Sequence, residues 1–284
     1  TKKEKNVERF CVGSRKENWI MSALSIAATW IWAPALFVST EKAYTNGFVG
    51  LFWFLVPNIL CLILFIPFAK KIRREMPEGI TLSGYMRDKY KSDGVKRVYL
   101  FQLMGLSVLS TGVQLLAGSQ VLSAATGMPF QLVTVLLAVI ALSYSLFSGI
   151  KASMLTDAIQ MVFMLAASTA FLIMAIRADG TSGILEGIHG ISGNYTSLWS
   201  EDGIEVFLAF GLPTTIGLLS GPFGDQSFWQ RVFAVKSNRI GRAFFVGAIL
   251  FGLVPFSMGI LGSAGAGIGY QAKDLGVINF ELIQ

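Results

Sequence analysis

Charged residues are absent from six long stretches of this 284-residue chain: Trp19–Thr40, Ala43–Ala69, Val98–Ile150, Ala158–Ile176, Val206–Gly224 and Ala243–Ala272. Each equals or exceeds the roughly 18–20 residues that carry an α-helix across a bilayer core. At about 1.5 Å rise per residue the run Val98–Ile150 is too long for one crossing. Gly127-Met128-Pro129 breaks it near its middle, so it divides in two. The pattern predicts an all-α integral membrane protein with about seven spans, at 19–44, 48–69, 98–125, 131–149, 155–177, 204–224 and 243–264.

The basic residues orient those spans. If successive loops alternate sides, one side collects the N-terminal segment 1–18, the basic loop Lys70–Arg97, Lys151 and the loop Arg231–Arg242. Only Lys42, Arg177 and Lys273 of the 23 lysines and arginines fall opposite. Short loops rich in Lys and Arg stay cytoplasmic, so the N-terminus is expected inside and the protein in a plasma membrane, of the prokaryotic inner-membrane kind. The net charge of +6 and the pI of about 9.3 are thereby topology signals. No basic patch interleaved with aromatic residues points to nucleic acid.

Other features read as bland. Cys11 falls on the cytoplasmic side and Cys61 inside a span, so no disulfide is expected, and metal-ligand spacing is lacking. His189, the one histidine, sits among Gly and Ser in the outward loop 178–203 and reads as solvated. Asn194-Tyr195-Thr196 is a glycosylation triplet by pattern, of a kind common by chance. The run Gly262–Gly269 lacks the βαβ setting of a nucleotide loop and reads as close helix packing or an outward turn. No nucleophile–base pair or phosphate cradle is found, so the chain does not read as an enzyme. The start is polar and basic with no signal peptide, and it lacks an initiator Met, which places the expected start upstream.

Two features carry chemistry. Pro34, within Ser25-Ile26-Ala27-Ala28-Thr29-Trp30-Ile31-Trp32-Ala33-Pro34-Ala35, removes a backbone donor mid-span and would clash with the carbonyl of Trp30. The helix is expected to open near Thr29–Pro34, as a simple kink or as unwound backbone whose freed carbonyls can hold a cation. A second interruption is expected in the sixth span, at Gly211–Thr215 and Ser220–Gly224. Interrupted first and sixth spans are what two inverted five-helix repeats would give. The second feature is Ser148-Gly149-Ile150-Lys151-Ala152-Ser153-Met154-Leu155-Thr156-Asp157-Ala158-Ile159-Gln160, which carries a carboxylate into the start of an apolar helix. Thr156 and Asp157 could simply cap that helix; alternatively, a carboxylate at membrane depth marks function.

With these residues in view, the chain resembles the sodium/solute symporter family, which includes sodium/glucose, proline and sialic acid symporters. Gly149-Ile150-Lys151-Ala152 followed by Thr156-Asp157-Ala158-Ile159-Gln160 is similar to the family signature of glycine, x, lysine, alanine, then threonine, aspartate, x, x, glutamine. Asp225-Gln226-Ser227-Phe228-Trp229-Gln230-Arg231-Val232-Phe233-Ala234-Val235-Lys236-Ser237 is similar to the family's glutamine, Gln-Arg pair and Ala-x-Lys-Ser after the sixth core helix. The resemblance covers residues 15–284.

The resemblance implies the leucine-transporter-type fold of two inverted five-helix repeats. Residues 19–177 would form the first repeat, 178–203 an extracytoplasmic loop, and 204–264 the first two helices of the second repeat. Residues 265–284 would be a further outward loop, the chain stopping before the eighth helix and so being unable to transport alone. The family's sodium ion lies between first-helix carbonyls, which match Ala27 and Trp30, and oxygens of the eighth helix. Asp157 matches an acid that helps bind or relay a second sodium in some members. No cofactor is implied beyond sodium as coupling ion.

Departures from the family pattern narrow the solute. Sugar symporters have a Tyr-Tyr-Trp run where this chain has Ser220-Gly221-Pro222, an Asn-Gln pair where it has Asp225-Gln226, and a lysine near Gly252. The Trp30-Ile31-Trp32 and Asp225–Arg231 runs resemble the urea and polyamine branch instead. The expected function is sodium-coupled symport of a small organic solute by alternating access. That solute, urea-like, an amino acid or another small polar molecule, would sit against Thr29, Trp32, Ala33, Phe54, Asn58, Gln114 and Ser220. A transporter-like sensor domain of a longer signalling protein and a passive channel are the competing classes.

Overall fold

The computed structural model describes residues 7–145 and 149–283. Among them the backbone is helical and looped, with one isolated bridge between Glu17 and Val235. Ser148 of the signature stretch, and the end of the fourth expected span at 146–148, lie outside the described residues. In chain order the helices are α1 (Val7–Val12), α2 (Trp19–Trp30), α3 (Ala33–Glu75), α4 (Leu82–Tyr90), α5 (Asp93–Thr126), α6 (Phe130–Ser145), α7 (Ile150–Glu186), α8 (Glu201–Val206), α9 (Leu212–Gly224), α10 (Gln226–Ala234), α11 (Ile240–Gly267) and α12 (Ile278–Glu281).

Local chemistry sets several of these boundaries. Asn18, Thr81, Ser92, Ser200 and Asp225 stand before α2, α4, α5, α8 and α10, each accepting a backbone N–H of the first turn through its side chain. Such caps satisfy amides that the helix leaves orphaned, at about 1 kcal/mol each. Gly127 closes α5 in the left-handed conformation, with φ 71°.

Five of these helical stretches are long and apolar enough to cross a membrane: Ala35–Glu75, Asp93–Thr126, Ile150–Arg177, Glu201–Gly224 and Ser237–Gly267. Two further apolar helices, Trp19–Trp30 and Phe130–Ser143, are shorter. Large apolar side chains such as Phe101, Val108, Leu109, Val139, Ile140 and Phe163 are exposed, an outside suited to hydrocarbon rather than to water.

The chain divides into two compact units. The first comprises Thr1–Ala33, Leu62–Gln160 and Gly221–Gly247. It is built around Phe65, whose ring lies 4.8 Å from Trp229, 5.1 Å from Phe223 and 5.2 Å from Phe244. Aromatic pairs at such spacing contribute about 0.5–1.5 kcal/mol each beyond their buried area. On this unit's basic side, Arg15 donates to the carbonyls of Pro77, Glu78 and Gly79 and to Glu8, tying the N-terminal segment to the α3–α4 turn.

The second unit comprises Pro34–Cys61, Met161–Ser220 and Ala248–Gln284. Here backbones meet closely: a Cβ on Gly267 would lie 1.8 Å from the carbonyl oxygen of Gly183. This identifies Gly262–Gly267 as helix packing, the use small residues have in membrane proteins, while Gly269, with φ 66° and open space around it, lies in the turn that follows α11.

Two expectations change in detail. The first and second spans share α3, which bends at Gly47. The sixth span is not unwound: a single π turn, Phe207–Gly211, joins α8 to α9, and α9 runs on through Pro222. A π turn widens the backbone ahead of Pro213, which has no N–H to donate and would crowd the carbonyl four residues earlier. Trp53 packs against this turn, its ring 4.6 Å from Phe207.

The segment around His189, expected to be solvated, packs against the chain instead. Ile191 N–H donates to Tyr44 O at 2.8 Å, seating the loop on the Gly47 bend, and His189 buries its Nδ1 without a hydrogen-bond partner. Gly47 has φ 55° and ψ −147°, a region essentially restricted to glycine. A Cβ there would lie 2.3 Å from Ile188 O. Gly47→Ala is therefore expected to destabilise the protein by about 2–3 kcal/mol. Gly112→Ala, in the interior of α5 with open space around it, should stabilise by about 0.5–1 kcal/mol. Thermal unfolding of the two variants in detergent should move in opposite directions.

Candidate functional site

The first-span break lies at Ile31 and Trp32. Both are extended, with φ/ψ of −78°/92° and −83°/155°, and α3 restarts at Ala33 with Pro34 in its first turn. Proline suits that position, whereas continuing α2 through it would deprive Trp30's carbonyl of a helical donor. Ile31 N–H still donates to Ala27 O at 3.0 Å, but Trp32 N–H turns to Trp30 O at 3.1 Å. The next amide, Ala33 N–H, donates to Gln114 Oε1 on α5 at 2.6 Å. The carbonyls of Ala28 and Thr29 thus lose the amides that a continuous helix would supply four residues on.

Of the expected ion donors, Ala27 and Trp30 are both buried. Each carbonyl accepts one backbone amide, Ala27 O that of Ile31 and Trp30 O that of Trp32. The indole of Trp30 packs beside α9 and α10: a Cβ on Gly221 would touch its Cη2 at 2.4 Å, and its ring lies 5.3 Å edge-on to Phe228.

Asp157 does not cap its helix. α7 begins at Ile150, its first amides supported by Gly149 O, so Asp157 lies well inside. The hydroxyl of Thr156 bonds back to Ala152 O and Ser153 O. Asp157 Oδ2 accepts Ser25 Oγ–H at 2.7 Å and Arg231 Nη2–H at 2.5 Å. Arg231 Nε–H also donates to Ser25 Oγ at 2.8 Å, and Nη1–H to Ser227 O at 2.8 Å. Three helices, α2, α7 and α10, are thereby joined through one carboxylate, one hydroxyl and one guanidinium.

The remaining expected solute residues divide between the units. Thr29, Trp32, Ala33 and Gln114 belong to the first, where Ala33 and Gln114 are directly bonded and Thr29 Oγ1 is held by Ser25 O at 2.7 Å. Phe54, Asn58 and Ser220 belong to the second. There Asn58 Nδ2–H donates to Phe54 O at 2.7 Å, both residues buried, while Ser220 is exposed and bonds back to Gly217 O.

Ser25 and Arg231 escaped the sequence reading as site residues. Arg231 counted only as a topology charge and a motif letter, although it stands between Trp229 and the apolar Val232-Phe233-Ala234, a place where a cation needs a partner. Nothing in the sequence around Ser25 distinguished it.

The pair is close to fully enclosed at Arg231, whose side chain is 5% exposed against 19% for Asp157. Removing one partner of such a pair leaves the other buried and uncompensated. Asp157→Ala is expected to destabilise by about 3–5 kcal/mol. Combining it with Arg231→Met should recover most of that loss, as a double-mutant cycle of thermal unfolding in detergent would show.

Comparison with known proteins adds an independent line. The model of the sodium:solute symporter family matches residues 10–271. Probable urea active transporter 1 of Schizosaccharomyces pombe is 27% identical over 265 residues, covering 88% of this chain and 39% of its own length. A urea-proton symporter of Oryza sativa subsp. japonica is 23% identical over 297 residues, with 94% of this chain and 40% of the relative covered. The sodium/pantothenate symporter of Escherichia coli is 25% identical over 272 residues, with 92% and 55% covered. The chain spans about two-fifths of the length of the urea transporters it matches.

Proposed function

We propose that this chain, which belongs to the sodium:solute symporter family, carries part of the ion and solute site of a cation-coupled secondary active transporter for a small neutral solute of the urea kind. Its relatives are transporters rather than enzymes. The protein works by alternating access in a plasma membrane, with this chain's N-terminus cytoplasmic, as the distribution of Lys and Arg favours. Its helices form the first part of two inverted repeats.

The observation that carries this reading is the break at Ile31–Trp32, held open by the bond from Ala33 N–H to Gln114 Oε1. Irregular backbone at membrane depth is tolerated where it is buried in protein or lines a cavity, and half-helix ends are where ions and solutes bind. Sodium is the coupling ion, taken by the carbonyls of Ala27 and Trp30 and relayed by Asp157. The solute lies against Thr29, Trp32, Ala33 and Gln114. The Ala28 and Thr29 carbonyls accept its N–H groups. Gln114, with Oε1 committed to Ala33, offers its Nε2–H to the solute's carbonyl oxygen. Urea, with one carbonyl and two amino groups, complements acceptors and a donor so arranged. Sodium adds positive charge at the break and orders it, so each ligand tightens the other by the same factor.

Proteoliposomes of the full-length protein test this with radiolabelled urea. An inward sodium gradient should drive accumulation above equilibrium. Uptake that only equilibrates under every gradient would establish a channel, and accumulation driven by a proton gradient alone would remove sodium as the coupling ion. Gln114→Leu, which removes both the acceptor for Ala33 and the donor for urea, should raise the half-saturating urea concentration about tenfold, the equivalent of one hydrogen bond.

A further inference from the structure

We infer that Arg231 is a built-in competitor of the coupling cation at Asp157. The geometry points to a carboxylate shared in alternation between a fixed guanidinium and a mobile ion. This rests on the reading of Asp157 as a relay for that ion.

In the structure Oδ2 of Asp157 is filled, taking hydrogen bonds from Ser25 Oγ and Arg231 Nη2. Oδ1 accepts none among the described residues, and the Asp157 side chain keeps 19% of its surface exposed while that of Arg231 keeps 5%. The carboxylate therefore has one oxygen occupied and one free of protein donors among the described residues, which a small cation can approach. The guanidinium is also held through Nε and Nη1 on Ser25 Oγ and Ser227 O, each at 2.8 Å, which keeps its charge beside the carboxylate.

A cation arriving at Oδ1 meets a carboxylate whose charge is already opposed by a neighbouring cation, and like charges at such range repel strongly in a poorly solvated setting. Arg231 thus weakens ion binding at Asp157 and favours release. Conversely, ion binding weakens the hold of Arg231 on Asp157 and Ser25 by the same factor. Because Ser25 lies on α2, one turn before Thr29 and the break, while Arg231 lies on α10, loss of that hold loosens α10 from the broken helix. The competition therefore ties the presence of the ion to the contact between two helices. A purely structural ion pair would make no such connection.

Binding of radioactive sodium to the purified full-length protein, at constant ionic strength with choline replacing sodium, tests the inference. Arg231→Gln should lower the half-saturating sodium concentration about tenfold, within the range of ordinary coupling between sites. The double variant D157N/R231Q should bind no more tightly than D157N alone, since the gain requires the carboxylate. A folded R231Q protein with unchanged or weaker sodium binding overturns the competition. Should R231Q fail to elute as a monodisperse species, Ser25→Ala reads the same property, because it removes one anchor of the guanidinium and one donor to Oδ2. Sodium binding about two- to threefold tighter, the equivalent of a weak hydrogen bond, supports the inference, and unchanged or weaker binding overturns it. Wild-type protein that binds no sodium would overturn the proposed coupling ion as well. Saturable wild-type binding with no response in the variants would sink the competition alone.

Discussion

A backbone amide at the depth of a lipid bilayer has no water to turn to, and the first unit is organised around that constraint. Pro34 denies α2 a continuation, so the chain must either leave amides and carbonyls unsatisfied or find them partners elsewhere. It does the second for its amides: Ile31 and Trp32 bond locally, and Ala33 reaches a side chain on α5. The carbonyls of Ala28 and Thr29 are left without the amides of Trp32 and Ala33, and acceptors freed in this way are what an ion or a hydrogen-bonding solute can complete. The opening is a consequence of one ring closing on one nitrogen.

A second constraint acts one turn away. A carboxylate inside apolar helices needs a counter-charge or a ligand, and Asp157 has Arg231. The pair draws Ser25 into the same network, and through the carbonyl of Ser25 it reaches Thr29. The break and the ion pair are therefore joined by a single turn of helix.

Much of this was legible in the sequence because its causes are local. The absence of charge from long runs marks helices whatever they pack against: five helical stretches are long and apolar enough to cross a membrane, and Trp19–Trp30 and Phe130–Ser143 are shorter apolar ones. Pro34 announces the break because its chemistry acts on its own neighbours. What was not legible depends on contacts between distant residues. Asp157 and Arg231 stand 74 positions apart, and the start of α7 at Ile150, which removes the capping role of Asp157, is set by Gly149 rather than by any polar residue near 156. The sixth span shows a further limit. Pro213 and Pro222 read as interruptions, but a π turn absorbs the first and the helix runs through the second. Proline specifies a missing donor, and the surroundings decide how it is accommodated.

The placement of Trp30 has an optical consequence. Its indole is buried, set against the backbone of Gly221 and edge-on to Phe228, so α2 cannot part from the start of α10 without uncovering it. An indole passing from an apolar niche to a wetter one shifts its emission to longer wavelength. The protein therefore carries an intrinsic chromophore one residue before the break at Ile31 and Trp32, and a movement there would be written in the colour of its fluorescence.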